Sequence, residues 1–311
     1  MSPRTRSYLY LALCILLWAA IPVASKKILV TLDNLQMLFY STVLSALAIG
    51  GVLVAQGKHR LLIRACPAEL GQMALLGSLG AYLYYVLLYA AFARTTAVEG
   101  FILAYTWPIL VSLLAVLLLG EALTGRKVLA VAVSFLGVVV IVTQGRLLSV
   151  SFTSLSGDLL ALSGALVFAL FSVLGKGKRF DPTVAALVYF LTALLLVTPT
   201  LLLFSRLEWP PPGIWPWLLL NGLLINGVTY IFWFKALEHG DTFVISNALY
   251  LTPFLSLIYV LLLLDEPVRP SAVMGLAIIL AGIGLQSWEA WRTRLLGRKK
   301  AEGSGQSTLR P

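Results

Sequence analysis

Ten stretches of about 20 mostly apolar residues follow one another along the chain, near 7–25, 35–55, 71–92, 98–119, 127–144, 157–175, 183–204, 214–236, 243–264 and 271–290. Each is bounded by charge, proline or glycine. At a helical rise of about 1.5 Å per residue, that length crosses a hydrocarbon core of roughly 30 Å. Inside lipid every backbone N–H and C=O must be bonded within the protein, so helices are the natural form for runs of this kind. The expected fold class is all-α membrane, with ten transmembrane helices. The balance of charge agrees: 12% of residues are charged and mean hydropathy is +0.93, whereas soluble domains carry roughly 25% charge. The longest connections, Gln56–Leu70, Gly145–Ser156 and Ser205–Gly213, leave no room for a soluble domain between spans. Function must therefore lie inside the bundle. Arg4 and Arg6 ahead of the first run resemble a secretory signal, but the run is long for one and nine more follow, so it is read as a span.

A net charge of +10 would suggest nucleic acid as partner in a soluble protein. Here the basic residues lie between apolar runs, and with the N-terminus inside, 17 of the 23 fall on the inner face. That asymmetry predicts both termini in the cytoplasm. Residues 292–311, basic and then rich in glycine and serine, read as a flexible tail anchored to anionic lipid. The expected partners are the lipid bilayer and a small-molecule substrate, with no nucleic acid, in a monomer or weak dimer. His59, His239, Cys14 and Cys66 are too few and too scattered for a metal site, and no HExxH, CxxC or phosphate-loop spacing occurs. No cofactor and no enzymatic activity are expected.

The chain repeats itself at an offset of 145 residues. Tyr85 maps to Tyr230, Ala91 to Ala236, Tyr105 to Tyr250, Pro108 to Pro253, Glu121 to Glu266 and Gly137 to Gly282. Matches of leucine are cheap in such a composition; matches of Pro, Glu and Tyr in one register are not. The expected organisation is two five-helix units, residues 7–145 and 157–291. Because five is odd, the second unit crosses the membrane in the opposite sense, which makes an inverted repeat of the kind used for alternating access.

The stretch Gly227–Gly284, with Tyr230-Ile231-Phe232-Trp233-Phe234-Lys235-Ala236-Leu237, Tyr250-Leu251-Thr252-Pro253, Leu262-Leu263-Leu264-Asp265-Glu266-Pro267 and Ala281-Gly282, resembles the EamA-type unit of the drug/metabolite transporter superfamily. The first half resembles the same unit, and its Ala104-Tyr105-Thr106-Trp107-Pro108-Ile109 is similar to a segment of the YddG-like amino-acid exporters. The resemblance implies a ten-helix inner-membrane carrier that moves metabolites, often outward, through a central cavity between the halves. The second half departs from the pattern, with Thr242-Phe243-Val244 where the first keeps Ala97-Val98-Glu99.

Within that frame, Pro108 and Pro253 are expected to act as hinges, each breaking its helix and freeing carbonyls near Ala104 and Leu249 to line a cavity. The aromatic and amide residues Trp18, Tyr82, Tyr85, Trp107, Asn226, Tyr230, Asn247 and Tyr250 are the candidate substrate cavity, and Tyr89, Trp233 and Asn221 qualify for it on the same ground. Such a lining suits an apolar or aromatic metabolite with one polar end. Lys26, Glu99, Glu121 and Glu266 sit at span ends, where they read either as snorkelling and helix-capping charges or as a network that closes a gate. All 13 acidic residues lie at or near span ends or in loops and tails, so no intramembrane carboxylate relay is expected. Gly157, Ala161, Ala165 and Ala169 mark a helix face for close packing. The function expected is a secondary-active or facilitative exporter of small organic metabolites such as amino acids; the alternative is a channel-like or structural membrane protein.

Overall fold

The computed structural model describes residues 3–120, 124–146, 153–175, 178, 180–239, 248–249 and 251–285. These residues form helices joined by short connections, with no strand among them. Seven helices of 21 to 26 residues are long and apolar enough to cross a membrane, and three shorter apolar helices accompany them, Val128–Ile141, Leu251–Leu263 and Pro270–Leu285. Leu117, Leu195, Leu203, Phe204 and Leu262 stand exposed around the outside. A surface of that kind is stable only against lipid.

In chain order the elements are α1 (Pro3–Ala19), α2 (Ile21–Leu29), α3 (Asn34–Ala55), the short α4 (His59–Arg64), α5 (Pro67–Phe92), α6 (Ala97–Ala104), α7 (Trp107–Leu119), α8 (Gly125–Val142), α9 (Leu155–Gly175), α10 (Pro182–Phe204), α11 (215–239), α12 (Leu251–Leu263) and α13 (Pro270–Leu285). Their starts are set locally. Asp33 accepts from the N–H groups of Leu35 and Gln36 while Gln36 accepts in turn from the Asp33 N–H, a capping box that opens α3. Asp181 caps α10 by accepting from the N–H groups of Thr183 and Val184.

Two apolar stretches are interrupted rather than bent. The first stops at Ala20 and restarts as α2 with Pro22 in its first turn, and it runs on to Leu29, so Lys26 and Lys27 lie within the helix instead of beyond it. The fourth breaks at Tyr105 and Thr106 into α6 and α7. The sequence places Pro108 in a helix interior; in the structure it occupies the first turn of α7, where its missing N–H has no partner to lose and its fixed φ suits a helix start. Pro253 likewise lies in the first turn of α12.

Elsewhere the helices widen. Ser78–Leu83 in α5 and Leu220–Val228 in α11 are π-helical, and the two segments overlap at the offset of 145 residues. Such widened turns collect at functional positions. α3 packs on both α10 and the widened part of α11, while α5 packs on α10 and α9. Backbones touch at matched places: a Cβ on Gly77 would lie 2.6 Å from the Cα of Tyr189, and one on Gly222 would lie 2.6 Å from the Cβ of Leu44. Gly77 and Gly222 are one offset apart, and so are Leu44 and Tyr189. α8 and α13 meet similarly through Gly137, Gly275 and Gly282, with the Ser134 hydroxyl donating to the Ile279 carbonyl at 3.2 Å. The stripe Gly157, Ala161, Ala165 and Ala169 is buried, as its spacing implies.

Candidate functional site

The break in the fourth apolar stretch points aromatic side chains into a cavity of about 370 Å³, a size suited to a small organic molecule. Trp18 and Ile21 from α1 and α2, Tyr84 and Tyr85 from α5, and Phe101 and Tyr105 from the broken segment line it. Trp107, Phe168, Phe171, Tyr189, Tyr230 and Trp233 complete the lining. The rings brace one another: Tyr84 and Phe168 have centroids 4.8 Å apart, Trp107 meets Phe168 edge-on at 5.2 Å, and Trp18 lies 5.8 Å from Trp233. Ala104 and Leu249 both line the cavity, and the Tyr105 hydroxyl donates to the Leu249 carbonyl at 2.9 Å. The cavity extends to the connection around Lys178, Phe180 and Pro182, where Lys178 donates to Gln72 at 2.8 Å. No carboxylate is among its described lining residues. Such a space can hold flat or apolar groups by stacking, with hydroxyls for a polar end.

Five of the residues singled out from sequence, Trp18, Tyr85, Trp107, Tyr230 and Trp233, are in this lining. Tyr82 instead shares a hydrogen bond of 2.7 Å with Thr200. Asn226 lies behind the wall: its amide donates to the Tyr89 hydroxyl at 2.8 Å, and Asn221 donates to the same hydroxyl and to Ser41. All three side chains, Asn221, Asn226 and Tyr89, are fully buried. Asn247 and Tyr250 lie outside the described residues, as does Glu121. The residues that sequence reasoning passed over are Tyr84, Phe101, Tyr105, Phe168, Phe171 and Tyr189. Phe168 and Phe171, three apart on one helix face, are a usable signal; Tyr105 is another, since it is the repeat partner of Tyr250.

Asn226→Ala follows from this placement. It removes one of two donors to a buried hydroxyl, so we expect a loss of about 1 kcal/mol in stability with substrate affinity little changed. Thermal unfolding in detergent beside a binding isotherm checks it.

At the opposite end, polar groups interlock. The Lys26 ammonium donates to the Thr95 carbonyl at 2.6 Å, and the Ala97 N–H, at the start of α6, donates to the Glu266 carboxylate at 2.9 Å. Thr96 caps α6 by accepting from the Glu99 N–H at 3.1 Å. Glu99, only 5% exposed, accepts from Thr95 and from Thr153 and has the Arg269 guanidinium 3.6 Å away. Three of the four span-end charges noted in the sequence thus meet in one cluster that ties α2, α6 and the segment after α12. Two of those contacts fall near the N-terminus of α6, where the helix dipole favours an anion such as Glu266.

Set beside known proteins, the chain matches the model of the EamA-like transporter family twice, over residues 5–143 and 155–288. It is 29% identical over 286 residues to an uncharacterized transporter of Archaeoglobus fulgidus, covering 90% of this chain and 97% of that one. It is 25% identical over 203 residues to the aromatic amino acid exporter YddG of Ancylobacter novellus, covering 65% and 70% of the two chains. A solved crystal structure superimposes with a TM-score of 0.67 at 20% identity, covering 93% of this chain and 99% of the other, and so shares the fold.

Proposed function

The chain belongs to the EamA-like transporter family, and from that premise we propose that it is a secondary carrier exporting small organic metabolites of the amino-acid class, aromatic ones foremost. It works by alternating access around the cavity between two inverted five-helix repeats, ten spans in all, with both termini in the cytoplasm. The exchange of matched contacts supports the two-fold relation: Gly77 of the first half packs on Tyr189 of the second, and Gly222 of the second packs on Leu44 of the first. In the orientation favoured by the basic residues, the Lys178 mouth faces the cytoplasm and the cluster of Lys26, Glu99 and Glu266 seals the outside. The single observation that carries the reading is this asymmetry, an aromatic chamber reaching one end of the bundle while charged hydrogen bonds tie the other. A mouth on the cytoplasmic side is where an exporter loads. Pro108 and Pro253, each in the first turn of its helix, are the proposed points about which α7 and α12 swing.

Counterflow in proteoliposomes tests it. Tryptophan or phenylalanine trapped inside should drive saturable uptake of the labelled compound, and Phe168→Ala should raise the half-saturating concentration about tenfold, from stacking worth about 0.5–1.5 kcal/mol together with lost apolar contact. Conductance that does not saturate would replace the carrier reading with a channel.

A further inference from the structure

At the sealed end two contacts compete for one hydrogen, and one added proton reconciles them. The Thr95 hydroxyl oxygen lies 3.2 Å from Glu99 Oε2 and 3.1 Å from Asp158 Oδ1. A hydroxyl has one hydrogen, so it can donate to one of these carboxylates, and the other contact then lacks a hydrogen. The second oxygen of Asp158, Oδ2, is buried and has no hydrogen-bond partner among the described residues, and the residue is only 2% exposed. A charged oxygen sealed from water without a donor is the costliest state a carboxylate can adopt, whereas the carbonyl oxygen of a neutral acid tolerates it far better. Both observations are met by one arrangement. Asp158 carries the proton on Oδ1 and donates it to Thr95, Thr95 donates to Glu99, and Glu99 stays ionised beside Arg269.

The surroundings favour that assignment. Gly157 lets α9 press against Thr95, since a Cβ there would lie 2.8 Å from the Thr95 Cβ, which leaves little room for water between them. α9 packs against α5, α7 and α6, and α7 brings no ionisable side chain. From α6 the charged group facing Asp158 is Glu99, of like sign; just past α5, Arg94 turns its guanidinium to the Ala90 carbonyl. Lys26 and Glu266 are engaged with Thr95 and with the start of α6. The dipole at the start of α9 favours an anion, but its reach is small beside burial and a neighbouring carboxylate.

We propose that Asp158, with Thr95 and Glu99, is a proton-binding site whose occupancy locks the sealed end, so that opening there releases one proton. It rests on the reading of this end as a gate. When α6 moves away from α9, the Asp158 O–H bond to Thr95 is broken and the proton passes to water, leaving a solvated carboxylate. Re-closing takes one proton back. The gate at this end is therefore linked to pH: one bound proton changes the open-to-closed ratio by up to about tenfold per pH unit.

Two readouts that need no substrate separate this proposal from the transport reading. Infrared spectra of the purified protein across a pH series should show the carbonyl stretch of a protonated carboxylic acid growing in, as pH falls, above the range of an ordinary carboxylate, and Asp158→Asn should remove that component. In an Ala97→Cys chain, maleimide labelling measured relative to the exposed Cys66 should rise with pH by up to about tenfold per unit, and Asp158→Asn should flatten that slope. Should Asp158→Asn fail to fold, Glu99→Gln keeps the acid and removes the like charge, so the band should titrate at lower pH. A wild-type spectrum without the acid band, a pH slope unchanged in Asp158→Asn, or a band unmoved in Glu99→Gln overturns the proposal.

Discussion

Replacing Gly77 or Gly222 by leucine should leave almost no folded protein in the membrane. At Gly77 the added Cβ meets the Cα, C and O of Tyr189 at 2.6 to 3.2 Å, and backbone in a packed helix cannot yield as a side-chain tip can. At Gly222 it meets the Leu44 Cβ and the Ser41 carbonyl oxygen, beside the Gly222 carbonyl that accepts from Ser45 at 2.8 Å. Overpacking a well-filled interior typically costs about 1–3 kcal/mol, and here α5 would have to part from α10, or α11 from α3. Size-exclusion profiles and thermal unfolding in detergent measure the effect, with Gly51→Leu as the internal control. Gly51 has nothing within 4 Å of its would-be Cβ and lies inside α3, so leucine there should be neutral or stabilising by up to about 1 kcal/mol. Equal behaviour of Gly77→Leu and Gly51→Leu would mean that the helices do not approach at that point.

The second large effect belongs to Glu266. Its carboxylate satisfies the free N–H of Ala97 and sits against the positive end of α6, two stabilisations lost together in Glu266→Lys. A hydrogen bond to a charged group contributes about 1.5–3 kcal/mol, so the closed state of that end should lose about tenfold to a hundredfold in population. Transport should drop by a similar factor while the protein still folds, because the residue is only half-buried and few core contacts depend on it. Counterflow rates beside labelling of Ala97→Cys separate the two quantities. Wild-type transport in Glu266→Lys would assign this carboxylate to helix capping alone.

The membrane-helix class and most apolar stretches are legible in the sequence because hydropathy and the offset of 145 residues act through whole spans. What is not legible depends on depth and direction. Asn226 looks like a cavity amide, since a midspan amide must turn away from lipid; it does turn away, but toward Tyr89 behind the wall rather than into the chamber. Pro108 reads as a kink because the apolar run passes through it unbroken; only the backbone reveals that the helix ends first, at Tyr105. Lys26 and Glu266 lie 240 positions apart, and nothing local in either segment says that both reach the start of α6. Asp158 reads as one more span-end acid, yet burial by Gly157 and the shared Thr95 hydroxyl make it the least ordinary of them. Locally it stands in the first turn of α9, just after Ser154 accepts from the Gly157 N–H, and an acid in that place is too common at helix starts to single out.

The exchanged glycine contacts bear on how such a chain is made. A ribosome delivers α3 and α5 to the bilayer long before α10 and α11 exist, so the Gly77 notch and the Ser41–Ser45 edge must wait in lipid without their partners. Ser45 can bridge that interval by donating to its own Ser41 carbonyl, 2.7 Å away, and its one hydroxyl hydrogen can turn to the Gly222 carbonyl once α11 arrives. Assembly is then not the docking of two finished halves. It is a late interlocking, in which the nascent first half remains an open template until the second is threaded beside it.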